Sequence, residues 1–185
     1  GLLGILSGLP MLLLLPALEK KYSKKNLMFL SVALYIIGDL LIFVGKDSAA
    51  CLLGGLVVTG LGIYGIFGIT FAMQPDVIDY SEYKKNASIA GLIAAFQGFF
   101  VKGGMGLTSF VIGVFLKNGG YIANAAQTEK ALSYIEICFI WIPVVLCALI
   151  AALTYFYKLD GLRNEMTQEL DRRRKRMQGS IEGSI

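Results

Sequence analysis

The sequence contains no histidine, so it cannot form an imidazole base, a histidine metal ligand or a serine–histidine–aspartate triad. It is also poor in charge: charged residues make up 16% of the chain, against roughly one quarter in soluble globular domains. Its three cysteines, Cys51, Cys138 and Cys147, lie within or at the edge of apolar runs and lack paired metal-ligand spacing. They read as small hydrophobes, not as redox or metal groups. No nucleophile–base pair or metal cluster takes the place of the absent imidazole, so the chain does not read as an enzyme.

What is abundant is apolar. Hydrophobic residues are 56% of the chain and the mean hydropathy is +0.66. They are gathered in long unbroken runs, not spaced to half-bury a helix or strand. Five runs stand out, at about 1–18, 27–45, 49–74, 87–116 and 132–157. At ~1.5 Å per helical residue each approaches or exceeds the ~30 Å of a hydrocarbon core. Runs this long are not barrel strands. The expected fold is therefore an all-α membrane protein with five transmembrane helices, a bundle over 1–158 followed by a basic tail over 159–185.

Basic residues orient it. Lys20, Lys21, Lys24, Lys25, Lys84, Lys85, Lys158 and Arg163, with Arg172, Arg173, Arg174, Lys175 and Arg176, share one side. Only Lys46, Lys117 and Lys130 fall on the other. The positive-inside rule makes the tail cytoplasmic and sets Gly1 at the outer face. A chain that begins outside, inside a spanning run and without a signal peptide, implies that upstream helices are missing. An odd count of five helices points the same way, because many transporter folds repeat bundles of even count.

Lys102 is the strongest single clue to function. It sits at the midpoint of the fourth run, where a lysine costs about 2.5–3.5 kcal/mol to insert. Gly91, Ala95, Gly98, Gly106, Ser109 and Gly113 recur with it at intervals of three and four, so the lysine lies on a stripe of small residues. Such a face permits close helix approach or leaves a cavity, which Gly98 and Gly106 would line. Lys102 is then a solute or coupling residue, or else half of a buried structural ion pair. Snorkelling is hard from mid-span.

The third run carries Gly54, Gly55, Gly60, Gly62, Gly65 and Gly68, with Thr59 and Tyr64 as further candidate cavity-lining residues. Its glycines serve close packing or bending. Asp39 lies past the middle of the second run toward the outer side, where water would relieve its desolvation, and Glu136 lies near the outer end of the last. Between the third and fourth runs, the connector Gln74 to Lys85 holds Asp76, Asp79 and Glu82. These are candidates for a cytoplasmic gate of ion pairs that break and re-form, or they belong to a plain solvated loop. The basic tail suits anionic lipid headgroups, and beside five spans it does not point to nucleic acid.

Three stretches together carry a family resemblance. The connector Pro75-Asp76-Val77-Ile78-Asp79-Tyr80-Ser81-Glu82-Tyr83-Lys84, the stretch Val101-Lys102-Gly103-Gly104, and Gly120-Tyr121-Ile122-Ala123-Asn124 with Gln127 resemble the glycoside-pentoside-hexuronide:cation symporters. That is the melibiose-permease group of the major facilitator superfamily. The resemblance implies that the five spans are helices eight to twelve of a twelve-helix sugar transporter, with the first seven absent. It implies a coupling cation, Na+ or H+, bound mainly in the amino-terminal half, with no covalent cofactor, and a bacterial inner-membrane location. Lys102 would match the family's helix-eleven lysine near the sugar. Where some members have a hydroxyl four positions earlier, this chain has Gly98. Where members often have arginine and glutamate after the connector, it has Ser88 and Ala90. The alternative is a membrane-embedded structural or partner subunit that transports nothing by itself.

Overall fold

The computed structural model describes residues 2–45, 48–85 and 89–157, together with 161–162, 165–166, 168–170 and 172 of the tail. Lys46, Ser88, Lys158, Arg163 and the basic run 173–176 lie outside the described residues. Among the described residues every regular element is helical: α1 (Leu2–Glu19), α2 (Lys24–Val44), α3 (Ala49–Lys85), α4 (Ala90–Gly119) and α5 (Glu129–Tyr155). The last four are long and apolar enough to cross a membrane, and α1 is shorter. The chain is an all-α, multi-pass membrane protein.

Helix ends follow local chemistry. Ser23 opens α2, its hydroxyl accepting from the Asn26 N–H at 3.3 Å. Thr128 opens α5 in the same way, accepting from Ala131 at 3.2 Å. These side chains satisfy donors that a first helical turn leaves orphaned. Gly120 closes α4 at φ +75°, a left-handed conformation that glycine takes without a Cβ clash. Within α5, Ile137–Trp141 widens to a π-helical turn just before Pro143, whose ring cannot donate to an α-helical ladder.

The segment from Gln74, which on sequence separates two spans, does not leave the helix. α3 runs 37 residues through Pro75 to Lys85, about 55 Å at helical rise. Pro75 cannot donate to the carbonyl one turn back, which should loosen this turn. Lys24 bridges it from outside, placing Nζ 2.6 Å from the Ala72 carbonyl and 2.6 Å from Asp76 Oδ2.

The core of the bundle is the α2–α3 crossing, with α1 laid against α3 and α5 against α2. The backbones meet so closely that a Cβ at Gly38 would strike the Thr59 main chain, and one at Gly62 the Tyr35 main chain. Met11, Leu15, Leu27, Met28 and Ile69 fill the space toward the Lys24 end. By contrast, α4 leans mainly on α5, through Phe115 on Tyr134 and Gly119 beneath the same ring. Its apolar side chains, including Phe99, Phe100 and Phe110, stand exposed along most of its length.

The crossing makes a signed prediction. In the full-length protein, Gly62→Ala should lower thermal stability, because a methyl against fixed backbone costs about 1–3 kcal/mol of overpacking. Gly54→Ala, where a Cβ meets nothing within 4 Å, should be neutral or mildly stabilising through helix propensity. Equal effects of the two substitutions on the melting temperature would contradict this packing.

Candidate functional site

The sequence-predicted residues lie in two main regions, with Thr59 and Tyr64 apart from both. The first is α4 at mid-length. Lys102 is exposed, and among the described residues it makes no hydrogen bond or ion pair. Gly98 and Gly106, one turn to either side, would meet nothing within 4 Å if they bore a Cβ. The small-residue stripe is thus an open face in this chain, not a helix–helix seam. Below it, an apolar cavity of about 210 Å³ lies between α4 and α5, lined in part by Leu107, Thr108, Cys138 and Pro143.

Thr59 and Tyr64 lie on α3, away from that face, and do different work. Thr59 sits in the α2–α3 crossing and donates its hydroxyl to Asp39 Oδ1 at 3.3 Å. Tyr64 packs its ring over Gly8 of α1. It also lines an open apolar groove of about 540 Å³ with Leu12, Ile63, Phe67, Gly68 and Phe71. The structure therefore brings neither residue together with Lys102 in one enclosed cavity.

The second region is the Lys24 end of the bundle. Asp76 is buried, and its Oδ2 accepts from Lys24 Nζ at 2.6 Å and from the Tyr157 hydroxyl at 3.0 Å. One carboxylate oxygen thereby ties α3 to α2 and to the residues just past α5. Lys24 is itself 4% exposed, so this is a desolvated pair, and the ammonium gives a second hydrogen bond to the Ala72 carbonyl. Beside it, Lys25 donates to the Tyr155 carbonyl at 2.7 Å. Neither Lys24 nor Tyr157 could be matched to Asp76 from sequence, since the partners are 52 and 81 residues away.

Asp79 and Glu82 continue the same helix one and two turns on and are half-buried. Near them an open cleft of about 550 Å³ is lined by Tyr83 and Lys84 of α3 and by Glu165, Gln168, Glu169 and Arg172 of the tail. Met166 and Leu170 are buried, so this part of the tail rests against the bundle. Among the described residues no cluster of histidine, cysteine, aspartate or glutamate could hold a metal ion. The arrangement offers charge anchoring and a free central cation, not a catalytic constellation.

Comparison with known proteins agrees in kind. Residues 1–161 match the family described as MFS/sugar transport protein. The chain is 33% identical over 160 residues to the isoprimeverose transporter of Lactiplantibacillus pentosus, covering 85% of this chain and 33% of that protein. It is 38% identical over 177 residues to the uncharacterized symporter YnaJ of Bacillus subtilis, covering 95% and 38%. To the glucuronide carrier protein homolog of Escherichia coli it is 28% identical over 183 residues, covering 98% and 39%. The chain thus spans between a third and two fifths of the length of these relatives, all of them described as transport proteins and none as an enzyme. With its membrane-length helices, its mid-helix lysine and this match over most of its length, the chain belongs to the glycoside-pentoside-hexuronide:cation symporter family of the major facilitator superfamily.

Proposed function

We propose that the complete protein is a secondary active transporter that moves a sugar or glycoside together with a sodium ion or proton by alternating access. In this reading the chain is its carboxyl-terminal part, in a bacterial inner membrane with the tail in the cytoplasm. The cation site lies mainly in helices outside this chain. Relatives described as an isoprimeverose transporter, a symporter and a glucuronide carrier homolog support the substrate class. The asymmetry of lysine and arginine supports the orientation.

One observation carries the reading: Lys102 stands exposed in the middle of a membrane-length helix, and no other described residue pairs with it. A central ammonium group is tolerated in a bilayer only in a polar or water-filled cleft. The described residues do not build that cleft, so a facing bundle must. A sugar in such a cleft offers hydroxyl acceptors to Lys102, and the small residues around it leave the room. Asp76 acts as an anchor within the bundle, while Asp79 and Glu82 serve the closing contacts with basic residues of the facing half.

Two outcomes are expected in vesicles carrying the full-length protein. Lys102→Ala should insert normally yet lose about tenfold or more of glycoside uptake, as expected for about 1.5–3 kcal/mol from a charged hydrogen bond. Unchanged uptake would refute the role, and absence of uptake by the parent protein for every glycoside tried would favour the non-transporting subunit. Separately, Lys24→Met should destabilise the protein by about 3–5 kcal/mol, the usual cost of orphaning a buried partner. Adding Asp76→Leu should restore much of it. If the double variant melts as low as the single one, the pair does not anchor the bundle.

A further inference from the structure

Tyr121 to Gln127, within the last of the three stretches that carry the family resemblance, lies outside both the helix crossings and the Lys102 face. It joins α4, the helix that bears Lys102, to α5. Residues 121–126 are all exposed, so no apolar core sets the shape of this loop. Among the described residues no backbone–backbone hydrogen bond joins residues 122–127 to one another either. A loop held by neither would sample many conformations.

One side chain takes the place of a core. Gln127 is half-buried and places Nε2 2.6 Å from the Ile122 carbonyl and 2.7 Å from the Ala125 carbonyl. A side-chain amide carries two N–H donors, and here there is a carbonyl for each. Its Oε1 accepts from the Ile122 N–H at 3.4 Å, so Ile122 is gripped through both of its backbone groups. These bonds bracket Asn124, whose φ of +59° is a left-handed turn that asparagine enters more readily than most side chains. The ends of the loop are fixed as well. Gly119 lies beneath the Tyr134 ring, and Thr128, next to Gln127, caps α5. The loop is thus folded in advance, with Tyr121 and Ile122 held out and exposed.

We propose that Gln127 is a positioning residue for transport, holding the α4–α5 loop in one shape as a preset rim at the outer mouth of the cleft. This inference rests on the reading of the complete protein as a glycoside carrier with its tail in the cytoplasm, which sets the loop on the outer side. The loop continues directly from α4, so its shape fixes where the outer end of the Lys102 helix stops. A rim already in order spares an arriving solute the entropy of ordering it. Once loosened, the loop must be ordered again whenever solute enters from outside, whereas the cytoplasmic mouth, at the far end of α4, is unchanged. Gln127 acts through the loop backbone and touches no solute itself.

The test compares Gln127→Ala and Gln127→Glu with the parent in the full-length protein. Glutamate keeps the length of the side chain but turns carboxylate oxygens, not donors, toward the two carbonyls. A nitroxide on Ala123→Cys, with Cys51, Cys138 and Cys147 replaced, reports loop motion. Flux is measured from the outer side in right-side-out vesicles and from the cytoplasmic side in inverted ones. The probes are isoprimeverose and a methyl glucuronide, of the kinds named for two relatives. Both variants should free the label and leave the melting temperature near the parent's. Both should raise the outer KM about tenfold, the order expected from losing one or two exposed hydrogen bonds, with the cytoplasmic KM unchanged. A role in folding alone would lower the maximal rate in both directions with each KM intact, and that result would overturn the proposal. So would a label that stays immobile, a KM raised equally on both sides, or two variants that fail to fold. No uptake of either probe by the parent would overturn the transport reading and this inference together. Parental uptake with an unchanged outer KM in the variants would overturn this inference alone.

Discussion

A bilayer interior offers a charge nothing to bind, and the arrangement of this chain follows from how each ionisable side chain within its helices meets that constraint. Lys24 and Asp76 satisfy one another at 2.6 Å, with Tyr157 and the Ala72 carbonyl taking up further hydrogen-bonding capacity. Asp39 is wrapped by its own bundle and touched by Thr59. Among the described residues nothing pairs with Lys102. The first solution is complete, the second leaves one carboxylate oxygen unmatched among the described residues, and the third calls for a partner.

The helix packing divides along the same line. Where charges are settled internally, α1, α2, α3 and α5 are joined by glycine-mediated backbone contact, a buried apolar cluster and a desolvated ion pair. In a membrane, where no hydrophobic force drives helices together, close backbone approach and polar ties are what hold a bundle. α4 has neither over most of its length. A helix with small residues around a central cation, bare in its own bundle, suits the wall of a cleft closed by another bundle.

Much of this was legible in the sequence. The spans show in the apolar runs because a membrane helix needs little beyond length and composition. Lys102 shows because a single charge interrupts such a run. The connector motif from Pro75 to Lys84 and the Val101-Lys102-Gly103-Gly104 stretch carry the family, because local order survives in a linear reading. What was not legible depends on contacts between distant segments. A proline at 75 reads locally as an ending, and the Lys24 contacts made at that turn come from far upstream. The glycines of α3 and α4 look alike in composition, yet Gly62 is pressed on Tyr35 and Gly98 faces open space. Asp39 looked close enough to the outer side to be wet, and only the three-helix junction closes it off.

The central claim is that the face of α4 bearing Lys102 lines a water-filled, sugar-accessible cleft in the complete transporter. The most direct measurement is thiol labelling of Lys102→Cys, with Cys51, Cys138 and Cys147 replaced, using a charged, membrane-impermeant reagent. The account predicts that position 102 reacts and that a transported glycoside slows the reaction. Reaction only with a lipid-soluble reagent, indifferent to any glycoside, would mean that the lysine faces lipid and would contradict the account.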